Sequence, residues 1–126
     1  MSRRSPLGRV RGLGSAKEGV GHWWAQRLTS LALIPLTLWF VVSVAMMTGE
    51  GYAQVRDWAA SPVVAGLMIL LIVTTFYHTA LGLQVVIEDY VGHEGVKFTA
   101  LILVQAISIV LALIGVLSVL LLLFRV

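Results

Sequence analysis

Three stretches of this chain, residues 28–49, 58–87 and 98–124, contain no Asp, Glu, Lys or Arg. Each is longer than the roughly 20 apolar residues that cross about 30 Å of hydrocarbon in a helix rising about 1.5 Å per residue. Charged residues make up only 12% of the whole, and hydrophobic residues 59%. A soluble domain carries about 25% charged residues, so a water-facing globule is excluded. A β-barrel is excluded too, because its strands alternate apolar with polar and run for about 10 residues. The run Leu67-Met68-Ile69-Leu70-Leu71-Ile72-Val73 does not alternate. Helices satisfy their own backbone hydrogen bonds in lipid. The expected fold class is an all-α membrane protein of three transmembrane helices.

The placement of charge predicts the orientation. Six of the nine basic residues, Arg3, Arg4, Arg9, Arg11, Lys17 and Arg27, lie at or before the first apolar stretch. Such a flank marks the cytoplasmic side. Three crossings then place the Thr48–Ser61 loop outside, the Val91–Gly95 turn inside and the C-terminus in the periplasm. The membrane is expected to be a bacterial inner membrane. An Arg-rich, acid-poor start is also found in transit peptides, which leaves the mitochondrial inner membrane as the alternative. The net charge of +3 is read as this flank, with no nucleic-acid partner. With no cysteine, this chain builds no iron–sulfur cluster, thiolate zinc site or disulfide.

The expected organisation is a basic segment over residues 1–21 and a three-helix anchor domain over 22–126. The helices are expected at about 23–47, 62–89 and 96–124. Trp23, Trp24 and Arg27 suit the lipid interface. Pro35 predicts a mild kink in the first helix. Gly49-Glu50-Gly51 breaks the chain into a loop, and Ser61-Pro62 reads as an N-cap with proline at the first helical position. Gly92 and Gly95 read as the stop of the second helix, and Arg125 as the end of the third.

The chemistry centres on His78. It lies about 24 Å along the helix from Pro62 and about 16 Å from Asp89, deep in hydrocarbon, where ionisable groups face protein, cofactor or water. Three readings compete: a metal or haem ligand, an interhelical hydrogen bond to a Ser or Thr, and a proton relay. Gly82, four residues on, shares its face and leaves room for a flat macrocycle. Thr74 and Thr75 are placed to orient the ring. The stripe Thr74, His78, Gly82, Val85, Asp89 is expected to point inward. With one intramembrane histidine, a haem with two histidine ligands requires another subunit. Tyr90 at the helix end is either an interfacial belt residue or a phenol donating to a quinone carbonyl, with Asp89 orienting a neighbouring cation. Arg27 either snorkels to lipid phosphate or pairs with a propionate, and His22 can serve the same anion. Gln105, Ser108 and Ala112 read as helix-packing contacts.

The segment His78-Thr-Ala-Leu-Gly82-Leu-Gln-Val-Val-Ile-Glu-Asp89-Tyr90 resembles the signature of the smaller membrane anchor of succinate dehydrogenase (complex II), of the cytochrome b type. The lead-in His22-Trp23-Trp24-Ala25-Gln26-Arg27-Leu28-Thr29 is similar to the start of that family's first helix. The resemblance implies an anchor of a succinate:ubiquinone oxidoreductase, not catalytic by itself. His78 would be one axial ligand of haem b, and a larger cytochrome b anchor subunit would supply the other. Tyr90 would hydrogen-bond ubiquinone, and Asp89 would support that site through an arginine of the partner. Arg27 and His22 would contact haem propionates. An iron–sulfur subunit and a flavoprotein subunit would complete the assembly. The rival is a cofactor-free helical scaffold or regulatory subunit of another complex.

Overall fold

The computed structural model describes residues 15–124. Arg3, Arg4, Arg9, Arg11 and Arg125 lie outside that range. Four helices follow in order: α1 (Ser15–Met46), α2 (Tyr52–Ala59), α3 (Pro62–Tyr90) and α4 (Glu94–Phe124). Three of them, α1 from Val20 onward, α3 and α4, are long and apolar enough to cross a membrane. The described residues contain no strand. The all-α, three-span class follows directly from the three charge-free stretches.

The connections differ from the expected loops in physically interpretable ways. α1 starts at Ser15, inside the basic, Gly-rich lead. The turn that follows it contains Gly49, whose φ of 92° is a conformation that a Cβ would disfavour. Residues 48–61 read as a loop in the sequence, yet Tyr52–Ala59 forms α2. Between Gly51 and Pro62 the sequence holds no glycine or proline to break a helix, and Gly51 in extended conformation (φ −80°, ψ 172°) opens it. Trp58 of α2 stacks on Trp39 of α1, with ring centroids 5.9 Å apart and planes at 27°. That aromatic contact holds a short, marginal helix against a long one.

Ser61 occupies the N-cap position of α3 with extended backbone, but its side chain makes no capping bond. Pro62 instead removes one orphan N–H, and Ala65 N–H closes the first turn on the Ser61 carbonyl at 2.8 Å. α3 does not stop on a left-handed glycine. Val91 ends it in extended conformation, its N–H bonded to the Ile87 carbonyl, and Gly95 lies inside α4. His93 caps α4: its Nδ1 accepts the Val96 N–H at 3.2 Å. Glu94 in the first turn complements the helix dipole.

α3 is the central element. It packs against both α1 and α4. Small residues permit the close approach on α3: Ala65, Ala80 and Thr74 are buried together with Leu81. On α4, Gly115 packs closely against Ile72 of α3, and a side chain there would be tight. A Cβ there would sit 3.0 Å from Ile72 Cγ2 and 3.3 Å from its Cδ1. Gln105, Ser108 and Ala112 line a narrow groove of about 170 Å³ between α3 and α4, opposite Val73, Tyr77 and Ala80. The outer faces of α1 and α4 are apolar and exposed, from Leu31, Ile34 and Leu38 on α1 to Ile109, Leu113 and Leu117 on α4. This is the surface that lipid or a further membrane subunit covers.

Gly115→Val should therefore force α4 away from α3 and destabilise the pair by about 1–3 kcal/mol. A thermal melt of the detergent-solubilised protein should show the loss, and an unchanged melt would contradict this packing.

Candidate functional site

Antiparallel packing of α1 on α3 creates a polar seam in an otherwise apolar pair. On α1, His22, Gln26 and Thr29 recur at i, i+4 and i+7, and so share one face. On α3, His78 and Gly82 face them. The register is fixed by two contacts. Thr29 Oγ1 lies 2.9 Å from His78 Nδ1, and the Gln26 amide nitrogen lies 3.7 Å from where a Cβ of Gly82 would stand. His22 follows one turn further towards the α3 end that carries Asp89 and Tyr90.

The interhelical hydrogen bond from His78 to a Ser or Thr, one of the readings open from the sequence, is present, and Thr29 is the partner that sequence reasoning did not name. Its hydroxyl also lies 2.7 Å from the Ala25 carbonyl and 3.0 Å from the Gln26 carbonyl. Neither Thr74 nor Thr75 bonds to the histidine: Thr74 is buried within the helix packing and Thr75 is exposed. The available signal was the shared face of His22, Gln26 and Thr29, a polar stripe entering the membrane at matching depth.

Two polar atoms in the seam, His22 Nε2 and Gln26 Oε1, are buried and have no hydrogen-bond partner among the described residues. Leaving such atoms unpaired costs about 1–3 kcal/mol each. They sit at the mouth of the seam that leads to His78. Gln26 also borders a shallow hollow of about 430 Å³ on α1, together with Trp23, Arg27 and Ser30.

The other expected site residues lie at the rim. Arg27 is exposed and stacks on Trp23, its guanidinium carbon 5.0 Å from the ring centroid. Trp23 in turn meets Trp24 edge-on at 5.1 Å. Such a belt fits a membrane surface. Asp89 is exposed, and Tyr90 is 84% exposed at the last turn of α3. The inward stripe on α3 is shorter than expected: Thr74 is buried and His78 and Gly82 are half-buried, but Val85 and Asp89 open to the surface. The described residues hold no cluster of three or more metal-ligating side chains. A single imidazole with one ring nitrogen already hydrogen-bonded is the donor set on offer. It suits an axial position shared with a ligand from elsewhere.

Comparison with known proteins agrees with this architecture. The succinate dehydrogenase/fumarate reductase transmembrane subunit family matches residues 1–115. The succinate dehydrogenase hydrophobic membrane anchor subunit of Rickettsia bellii is 31% identical over 107 residues, spanning 84% of this chain and 85% of the relative. That of Paracoccus denitrificans is 33% identical over 86 residues, 68% of this chain and 67% of the relative. The succinate dehydrogenase membrane anchor subunit of Reclinomonas americana is 28% identical over 96 residues, 74% of this chain and 80% of the relative. No solved structure matches. The chain, a membrane protein of three apolar spanning helices, belongs to the succinate dehydrogenase/fumarate reductase transmembrane subunit family.

Proposed function

We propose that this chain is the smaller membrane anchor of a succinate:ubiquinone oxidoreductase, in which His78 is one axial ligand of haem b and Tyr90 helps bind quinone. The observation that carries the reading is the state of His78: deep in a spanning helix, held through Nδ1 by Thr29, with its second ring nitrogen left for a ligand bond. The unpartnered His22 Nε2 and Gln26 Oε1 fit the same conclusion, since a polar group entering the seam would supply what they lack. Haem bound there would supply a one-electron carrier in the middle of the membrane.

The chain's own residues have separable tasks. His78 would hold the haem iron from α3. Gly82 leaves the turn beside it free of side chain, provided Gln26 swings aside. Arg27 and His22 offer cations or donors to propionates at the rim. Tyr90 donates its hydroxyl to a quinone carbonyl oxygen whose negative charge grows on reduction, and Asp89 orients a partner's cation beside it. Because Asp89 and Tyr90 are so exposed here, other subunits must form the rest of the pocket. Those partners are a larger cytochrome b anchor subunit with the second haem ligand, an iron–sulfur subunit at the Tyr90 end, and a flavoprotein that oxidises succinate. The basic flank supports an N-terminus on the cytoplasmic side of a bacterial inner membrane, with the C-terminus in the periplasm.

The competing reading is a cofactor-free scaffold, and the Thr29–His78 bond favours it to one extent: it satisfies half of the imidazole within this chain. Replacement of His78 separates the two. His78→Ala should abolish or shift the b-type reduced-minus-oxidised spectrum of the purified complex, and an unchanged spectrum with unchanged ligation by magnetic spectroscopy would favour the scaffold.

Gly82→Ala should leave assembly intact, because the nearest atom in this chain is a movable side-chain nitrogen at 3.7 Å, and should lower haem content by crowding the macrocycle. Full haem content would show that haem does not lie over Gly82. Tyr90→Phe keeps the ring and removes only the donor. Loss of a dominant donor of this kind costs about 10²–10³-fold in rate, and a site shared with partner residues should lose less. Quinone reduction should fall while succinate oxidation by an acceptor that bypasses the membrane persists. Equal quinone reduction by both proteins would reduce Tyr90 to a belt residue.

A further inference from the structure

We infer that Thr29 is a positioning residue that sets the tautomer of His78, holding the proton on Nδ1 so that Nε2 presents its lone pair. The inference rests on the reading of His78 as an iron ligand, but its geometric basis is separate. Thr29 Oγ1 carries one hydrogen and has three neighbours within hydrogen-bond distance: the Ala25 carbonyl at 2.7 Å, the Gln26 carbonyl at 3.0 Å and His78 Nδ1 at 2.9 Å. A carbonyl can only accept. If the hydroxyl donated to Nδ1, the hydroxyl oxygen would face the Ala25 carbonyl oxygen at 2.7 Å with no hydrogen between them, which is repulsive. If the hydroxyl donates back to the carbonyls, Nδ1 must be the donor of the third contact, and every contact is then attractive.

The result is a directed chain, from His78 Nδ1–H to Thr29 Oγ1 and from Thr29 O–H to the Ala25 carbonyl. Each bond polarises the next, more strongly in a low dielectric than in water. A neutral imidazole protonated at Nδ1 has its lone pair on Nε2, the form that binds a metal. Threonine suits the role because its hydroxyl readily bonds the carbonyl one turn back in a helix and its methyl group restricts rotation. The acceptor comes from α1 and the ligand from α3, so the docking of one helix on the other prepares the ligand before any cofactor arrives.

The test compares the wild-type chain with Thr29→Ser, which keeps the hydroxyl, and Thr29→Val, which keeps the shape. The full chain, labelled with ¹⁵N at histidine and placed in lipid bilayers without haem, is read by solid-state NMR, with the His78 signals assigned by their loss in His78→Ala. Wild type and Thr29→Ser should show His78 protonated at Nδ1 alone, and Thr29→Val should move part of the population to the Nε2–H form. A wild-type His78 protonated at Nε2, or a Thr29→Val chain with wild-type tautomers, would overturn the inference. In the assembled complex Thr29→Val should also weaken haem retention by about 10–100-fold, the usual effect of losing a group that orients a metal ligand, with Thr29→Ser near wild type. Should His78→Ala leave the haem spectrum intact, the ligand reading falls and the NMR result still decides the tautomer. Should His78→Ala remove the spectrum while Thr29→Val leaves tautomers and haem retention unchanged, only the role of Thr29 falls. If Thr29→Val fails to insert, the wild-type and Thr29→Ser tautomers remain decisive.

Discussion

A bilayer interior contains no water to pair with a polar group, so a histidine at mid-depth needs its partners supplied by protein or cofactor. Among the described residues the side chain that bonds His78 is Thr29, across the α1–α3 interface. Much else depends on that contact. It fixes the register of α1 on α3, brings Gln26 over Gly82, and sets His22 near the rim. A slip by one residue would turn the α1 polar stripe by about 100°, carry the hydroxyl away from α3 and leave the imidazole without that partner.

The arrangement around that contact is open. α3 packs against both α1 and α4. In the most apolar window of α3 17% of residues are buried, against 6% in α1 and α4, so even the central helix leaves most of its surface for something else to cover. α3 and α4 approach closely where Gly115 meets Ile72. The α1–α3 side is the looser one, with its unpartnered His22 Nε2 and Gln26 Oε1. Under the proposed function this division is useful: one interface holds the anchor together and the other receives the cofactor and the second membrane subunit.

The three spanning helices were legible because the bilayer imposes a length and a composition that no other environment demands. Residues 28–49, 58–87 and 98–124 show both. Helix ends were less legible, because they depend on local hydrogen bonds. α2 was hidden between Gly49-Glu50-Gly51 and Ser61-Pro62, which read as loop chemistry, and it is held in part by a stack between Trp58 and Trp39 that no local pattern announces. His93 as the cap of α4 was obscured by the neighbouring glycines. At the site, His78 stood out because an ionisable group in hydrocarbon is rare. Thr29 did not, because a threonine in a spanning helix usually bonds its own backbone, and this one does so as well. Its partnership with His78 is a property of two helices docked together, and the stripe His22, Gln26, Thr29 was its only trace in one dimension.

Under the proposed function, His78 of this chain bonds the iron of haem b. The most direct test is the nitrogen hyperfine spectrum of the oxidised complex, prepared with ¹⁵N-histidine in this chain alone. If His78 is a ligand, one iron-coupled nitrogen changes from the ¹⁴N to the ¹⁵N pattern while the other, supplied by the partner, keeps its own. A spectrum identical to that of the unlabelled complex would show that the iron takes no ligand from this chain, and the account would be contradicted.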